Sequence, residues 1–188
     1  MQPGIRGAAA ESTVRDHIRL LHDVGELQTL ITESPDLEAL FARICALVAG
    51  GLDVDVCSIY LLDTTTSELV LRGTHGLTPE SVSTVRLKHG EGLTGLSLGE
   101  LRPIKVDQAS KHPNYQYFPG SGEENFESFL AVPVTRGTER IGVITAQRDV
   151  KHHFVDRDVM ALKVVAGQLA NMMENVRLLA ATSAGRKP

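Results

Sequence analysis

Two pairs of alternating apolar runs, set between helical runs at either end of the chain, constrain the fold most. Val56, Ser58 and Tyr60 alternate with Cys57, Ile59 and Leu61 across Asp55 to Leu62, so the side chains point in turn to opposite faces of a strand. Asp63 to Ser67 is small or turn-favouring, and Glu68 to Thr74 returns, which makes a hairpin. A second hairpin is expected from Ser128 to Val134 and Arg140 to Gln147 around Thr135-Arg136-Gly137-Thr138. Pro133 removes one ladder donor from it, so that strand should be an edge or carry a bulge. Between the hairpins lie a short strand at Thr84 to Lys88, a short helix at Gly92 to Leu98 and a strand-like run at Arg102 to Val106.

The flanking pattern is helical. From about residue 12 to Thr32, Val14, Ile18 and Leu21 line one stripe and Leu20, Val24, Leu27 and Ile31 another. Ser34-Pro35-Asp36 starts a second helix, whose face is Leu37, Leu40, Phe41, Ile44, Leu47 and Val48 and which Gly50-Gly51 should end. Asp156 starts the last helix, expected to about Ala181. Leu162, Val165, Leu169, Met172, Val176 and Leu179 are spaced along it as a heptad seam. That seam predicts a homodimer, unless the stripe merely covers the sheet. The whole is α+β: one mainly antiparallel sheet with helices grouped by the chain ends. Residues 1–11 are expected to be disordered, 12–181 to form one domain and 182–188 to be a loose tail.

The block His112-Pro113-Asn114-Tyr115-Gln116-Tyr117-Phe118-Pro119-Gly120 points to function. Of eight aromatic residues, Tyr115, Tyr117, Phe118 and Phe126 fall in this loop region, and Phe129 opens the strand after it. Rings on a polar, Pro- and Gly-bounded loop are costly to leave in water, so the loop should fold over a pocket or a sheet face. With a net charge of -4 and no basic run, neither nucleic acid nor an anionic membrane surface is the expected partner. No apolar stretch is long enough to span a bilayer, and residues 1–10 carry no apolar signal core. Cys45 and Cys57 sit inside periodic apolar segments, which suits reduced, buried thiols in a cytoplasmic protein.

Three possible chemistries read as weak. Gly90-x-Gly92-x-x-Gly95 has the letters of a dinucleotide fingerprint. It lies mid-chain before too short a helix, with no acidic strand end at the usual spacing, and so reads as a tight turn into a helix. His152-His153 with Asp156 and Asp158 reads as a solvated helix entry, its carboxylates favoured by the helix dipole, and no metal or other cofactor is expected. Neither cysteine sits in an exposed, electropositive loop of the kind that makes a reactive thiolate.

Taken together, Asp55-Val56-Cys57-Ser58-Ile59-Tyr60-Leu61-Leu62-Asp63, Gly90-Glu91-Gly92-Leu93-Thr94-Gly95, His112-Pro113, Tyr117-Phe118-Pro119, Gly122-Glu123-Glu124 and Ser128-Phe129-Leu130-Ala131-Val132-Pro133 resemble a GAF domain. The resemblance covers about residues 30–170 and is nearest to the sensor modules of nitrogen-related phosphoenolpyruvate-protein phosphotransferases. It implies terminal helices on one sheet face, with short helices and loops over the other. It also implies a sensory or regulatory module, standalone or part of a larger protein, that performs no phosphotransfer. The candidate ligand groups are Thr94, Asp107, His112, Tyr115 and Ser128, with Tyr117, Phe118, Phe126 and Phe129 as an apolar wall. A small-molecule effector, a helical dimer and a downstream signalling protein are the partners so implied. Members that bind cyclic nucleotides carry an Asn-Lys…Phe-x-x-x-Asp-Glu signature. Here Phe154 and Asp158 remain, Gln147-Arg148 replaces the first part and Val159 the last, which leaves an expected Arg148–Asp158 ion pair. The alternatives are an interaction module whose pocket is filled by its own aromatic loop and a thiol-based free methionine sulfoxide reductase. Bilin attachment lacks a loop thiol.

Overall fold

The computed structural model describes residues 37–88, 90–118, 121–122, 126–149 and 153–184, with side chains in the last helix to Leu178. The expected first helix, the Ser34-Pro35 helix start and residues 1–11 lie outside the described residues. A helix α1 (Leu37–Leu52) leads into strands β1 (Val56–Asp63), β2 (Glu68–His75) and β3 (Arg86–Lys88). Helix α2 (Gly92–Glu100), strand β4 (Ile104–Val106), the hairpin β5 (Ser128–Arg136) and β6 (Glu139–Arg148), and helix α3 (Asp156–Ala184) follow. The six strands form one antiparallel sheet in the order β3-β2-β1-β6-β5-β4.

The two-residue alternation sorts the core into two layers. Cys57 and Ile59 of β1, Leu130, Val132 and Val134 of β5, and Ile144 and Ala146 of β6 pack against α1 and α3. Val56 and Tyr60, Phe129 and Ala131, and Val143 face α2 and the loops. The terminal helices therefore share one face and the irregular segments cover the other, an α+β arrangement in which the sheet is buried on both sides.

Pro133 is accommodated at a local edge. Strand β4 pairs only with Phe129, Leu130 and Ala131, so β5 has β6 alone as a neighbour opposite Pro133, and the register shifts just beyond, between Val134 and Thr135. The glycine motif is a packing device. Gly90 and Gly92 have φ of +81° and +66°, and a Cβ on Gly95 would lie 3.0 Å from the Lys88 carbonyl oxygen. The chain turns sharply out of β3 and lays α2 against that turn, which only glycine permits.

Three expectations need correction. Gly50 and Gly51 do not end α1; they lie in its last turn, and Asp53 takes the left-handed conformation at φ 52°. Helix α3 runs through Thr182 and Ser183 to Ala184, so the expected loose tail begins no earlier than residue 185. The proposed dimer seam is mostly core: Leu162, Val165, Leu169 and Met172 are buried on the chain's own sheet. Val176 is half-buried, and the Leu179 side chain lies outside the description. A three-and-four apolar stripe is what any helix needs to cover a flat partner, and here the partner is intramolecular.

Candidate functional site

The Arg148–Asp158 pair closes one end of the fold. Arg148 Nη1 donates to Asp158 Oδ2 at 3.1 Å, and Nε donates to the Asp53 carbonyl at 3.0 Å. Nη2 donates to the Leu52 carbonyl, Nη1 also reaches the His153 carbonyl at 3.4 Å, and the guanidinium stacks 4.5 Å from the Phe154 ring centroid. A cation thus caps the C-terminus of α1, where the helix dipole favours it. Asp158 in turn accepts the Val155 N–H at 2.9 Å, fixing the entry to α3.

On the opposite sheet face the segment after β4 forms a lid. A short 3-10 turn, Ala109–Lys111, starts it. The Ala109 N–H donates to the Glu127 carbonyl at 2.8 Å, while Ser110 Oγ donates to the Glu127 carboxylate at 2.6 Å and so closes the base of the loop. His112 Nδ1 accepts the Asn114 N–H at 3.1 Å, the loop-capping role that a histidine there can supply. Farther out, Ser121 Oγ donates to the Phe118 carbonyl at 2.8 Å, and the Thr78 N–H donates to the Ser121 carbonyl at 3.2 Å. The lid is thereby pinned to the loop after β2.

Beneath it lies a cavity of about 30 Å³. Tyr60 and Gln147 form its sheet side, with Phe129 beside them. Gly92, Leu93 and Thr94 supply the first turn of α2, and Tyr115, Gln116, Phe118 and Phe126 supply the lid. Among the described residues, none of the lining side chains is charged. The structure therefore brings together Thr94, Tyr115, Phe118, Phe126 and Phe129 of the expected site residues. It places the others elsewhere. Tyr117 is 41% exposed on the outside of the lid. Asp107 and Ser128 both approach His153 Nδ1, at 3.4 Å each, beyond the lid's base. Both contacts meet the same ring nitrogen, so this Ser, His and Asp cannot pass a proton along a relay, which needs the two nitrogens to serve different partners.

Sequence reading missed Tyr60 and Gln147. Both lie on the face shared with Val56 and Val143, so the alternation already visible in β1 and β6 held the signal; what it lacked was which face the lid would cover. A second groove of about 430 Å³ runs between the β1–β2 end of the sheet and α3, over Leu61, Ile141 and Met173. It is open, and the Glu139–Arg177 pair at 3.1 Å lies along it.

Cys45 and Cys57 are buried under the other face. Burial, and then the neighbouring Cys57, raise the Cys45 thiol well above its ordinary pKa. Among the described residues no group of three or more His, Cys, Asp or Glu could hold a metal ion, and no helix is long and apolar enough to cross a membrane. His152 lies outside them.

Residues 34–174 match the family model of the GAF domain. The phosphoenolpyruvate-dependent phosphotransferase system protein of Escherichia coli K12 is 29% identical over 161 residues, 86% of this chain and 22% of the relative. The Nif-specific regulatory protein of Herbaspirillum seropedicae is 26% identical over 161 residues, 83% of this chain and 30% of the relative. The chain thus spans under a third of the length of these curated relatives. The solved GAF domain of a phosphoenolpyruvate-protein phosphotransferase from Coxiella burnetii has a TM-score of 0.80 at 29% identity, covering 89% of this chain and 98% of that one.

Proposed function

As this chain belongs to the GAF domain family, we propose that it is a non-catalytic, cytoplasmic sensing and regulatory domain whose small-molecule effector binds beneath the lid that carries Tyr115, Gln116, Phe118 and Phe126. One observation carries the reading: a lid of aromatic side chains, pinned at both ends, closes over a cavity into which a helix N-terminus and neutral polar groups converge. The relatives give it context, since one is named as a regulatory protein. A pocket for a drug-sized ligand is about 300 Å³ or more, so binding anything large requires the lid to move. Binding would then be coupled to the loops around β2 and β5, and through the sheet to the terminal helices that would carry the signal to a downstream protein. A homodimer built on α3 would use its outward face at Met160 and Val164, which are 64% and 42% exposed, because the Leu162 seam is taken by the sheet.

The experiment is thermal shift and calorimetry with amino acids, 2-oxo acids and nucleotides, repeated on Thr94→Ala with Tyr115→Ala. A saturable response in the wild type that the double variant loses supports the site; a response that survives in the variant removes it.

The small cavity favours a second reading, in which Phe118 and Phe126 fill the pocket themselves and the domain binds only proteins. Failure of every small molecule to shift the melting temperature, with a partner still captured, would select it. Thiol-based sulfoxide reduction is disfavoured by the burial of both cysteines and the raised Cys45 pKa. Activity unchanged in Cys45→Ser with Cys57→Ser would eliminate it.

A further inference from the structure

Among the described residues, a buried hydroxyl of the cavity has no hydrogen-bond partner. Thr94 is 6% exposed and lines the cavity, yet among the described residues nothing hydrogen-bonds its hydroxyl. Ser97, on the next turn of α2, shows the usual outcome by donating to the Arg102 carbonyl at 2.9 Å. The N–H groups of Gly92, Leu93 and Thr94 likewise meet no acceptor among the described residues. The residue that should cap them, Glu91, makes no side-chain cap; its carboxylate turns back to accept the Lys88 N–H at 2.7 Å. Donors and a hydroxyl therefore converge, unsatisfied, on one buried spot at the positive end of a helix dipole.

We propose that this spot is a carboxylate site: the first turn of α2 and Thr94 Oγ1 hold the head of a small monocarboxylic acid, whose short apolar body lies against Phe118, Phe126 and Phe129. The assignment rests on the sensing reading above and names the ligand class for it. A single negative charge matches the partial positive charge of a helix N-terminus and accepts from N–H and O–H donors at once. A phosphate dianion matches less well, because among the described residues no Lys, Arg or His side chain lines the cavity to neutralise a second charge in a desolvated place. An uncharged amide sets its own N–H donors against those of the helix. The closed cavity of about 30 Å³ is smaller than any such acid, so entry requires the roof to move, and a body of a few carbons asks the least movement of it. Gln116 is the side chain that must give way: a Cβ on Gly92 would lie 3.3 Å from Gln116 Cβ, so this residue roofs the helix end.

The test is a ¹⁵N–¹H titration of the intact chain with butyrate, butyramide and inorganic phosphate, followed at the Leu93 and Thr94 amides. Butyrate should shift both saturably and bind about tenfold or more tighter than butyramide, the scale of a hydrogen bond to a charged group. Thr94→Val should weaken butyrate by a similar factor and Thr94→Ser should not. Thr94→Val should also raise the melting temperature of the unliganded protein by roughly 2–4 °C, since it removes a buried hydroxyl that lacks a partner. Butyramide binding as tightly as butyrate, or phosphate binding tighter, overturns the carboxylate assignment and leaves a small-molecule site standing. Butyrate binding unaltered in Thr94→Val overturns the role of Thr94. No shift with any of the three overturns the assignment outright, and the broader ligand screen then decides the sensing reading alone.

Discussion

At the scale of single residues, Arg148 carries the most structure. Its side chain is 11% exposed and that of Asp158 is 8%, and the two join the C-terminus of α1, the end of β6 and the start of α3. Removing one partner strands the other charge in a poorly solvated place. Arg148→Ala and Asp158→Asn should each cost about 3–5 kcal/mol in urea unfolding. The double variant Arg148→Met with Asp158→Leu should recover much of that loss, because an apolar pair strands no charge. Equal, additive losses would show that the pair itself contributes little. The Arg148–Asp158 contact was expected from what remains of the GAF signature, in which Arg148 stands ahead of Phe154 and Asp158 across one strand-to-helix junction. The carbonyls of Leu52 and Asp53 were not, because only the folded sheet brings the end of α1 to Arg148. Cys45 makes a second prediction. Its folded pKa lies above the unfolded value of roughly 8.5, so the unfolded chain ionises first. The stability it confers is fully present below that pH and is lost as pH rises toward the folded pKa. Unfolding midpoints should fall between pH 8 and 10 in the wild type and less so in Cys45→Ala. Thiol reagents should label neither cysteine until urea is added.

At the scale of elements, α3 shows what periodicity can and cannot decide. The stripe from Leu162 to Met172 was legible as one helix face, and the helix is where it was expected. Its partner was not, because a seam for a second helix and a face for a sheet need the same three-and-four spacing. Leu169, 2% exposed, settles the matter by its environment. Leu169→Ala should destabilise the isolated chain by about 2–5 kcal/mol, the cost of a core cavity, at any protein concentration. A seam between copies would behave differently: the loss would appear as a lowered association constant in sedimentation, with the monomer's own stability unchanged. The glycine motif teaches the same lesson from the other side. Its letters fit a nucleotide loop, yet its spacing also serves a chain that must turn tightly and pack α2 on its own turn, and Gly95 is needed there for contact with Lys88 and Gly90 backbone.

At the scale of the whole molecule, the sheet separates two environments: helices and thiols on one side, the lid and its cavity on the other. Rings on a polar loop were enough to predict a lid, but not which rings turn inward. Phe118 lines the cavity while Tyr117 is 41% exposed, although both are rings on the same loop, so the sequence alone did not mark which one turns inward. Coupling between ligand and lid depends on how firmly the lid is held when empty. Ser121, 3% exposed, is the inner pin: its hydroxyl donates to the Phe118 carbonyl and its own carbonyl takes the Thr78 N–H. Ser121→Ala removes the first bond and keeps the second. A neutral hydrogen bond is worth about 1 kcal/mol net, so amide protection at Gln116 to Phe118 should drop roughly fivefold. Because the bond is lost from the native state, protection in β1 and β6 should fall by about the same factor; a separately opening lid is marked instead by protection below that of β1 and β6 and by a shallower urea dependence, since a local opening exposes less surface. If the lid amides share the protection and urea dependence of β1 and β6, the lid is part of the core's single cooperative unit and cannot open by itself for a ligand. If they exchange faster and with the shallower dependence, the domain possesses a locally opening element of the kind that a sensing cavity this small requires.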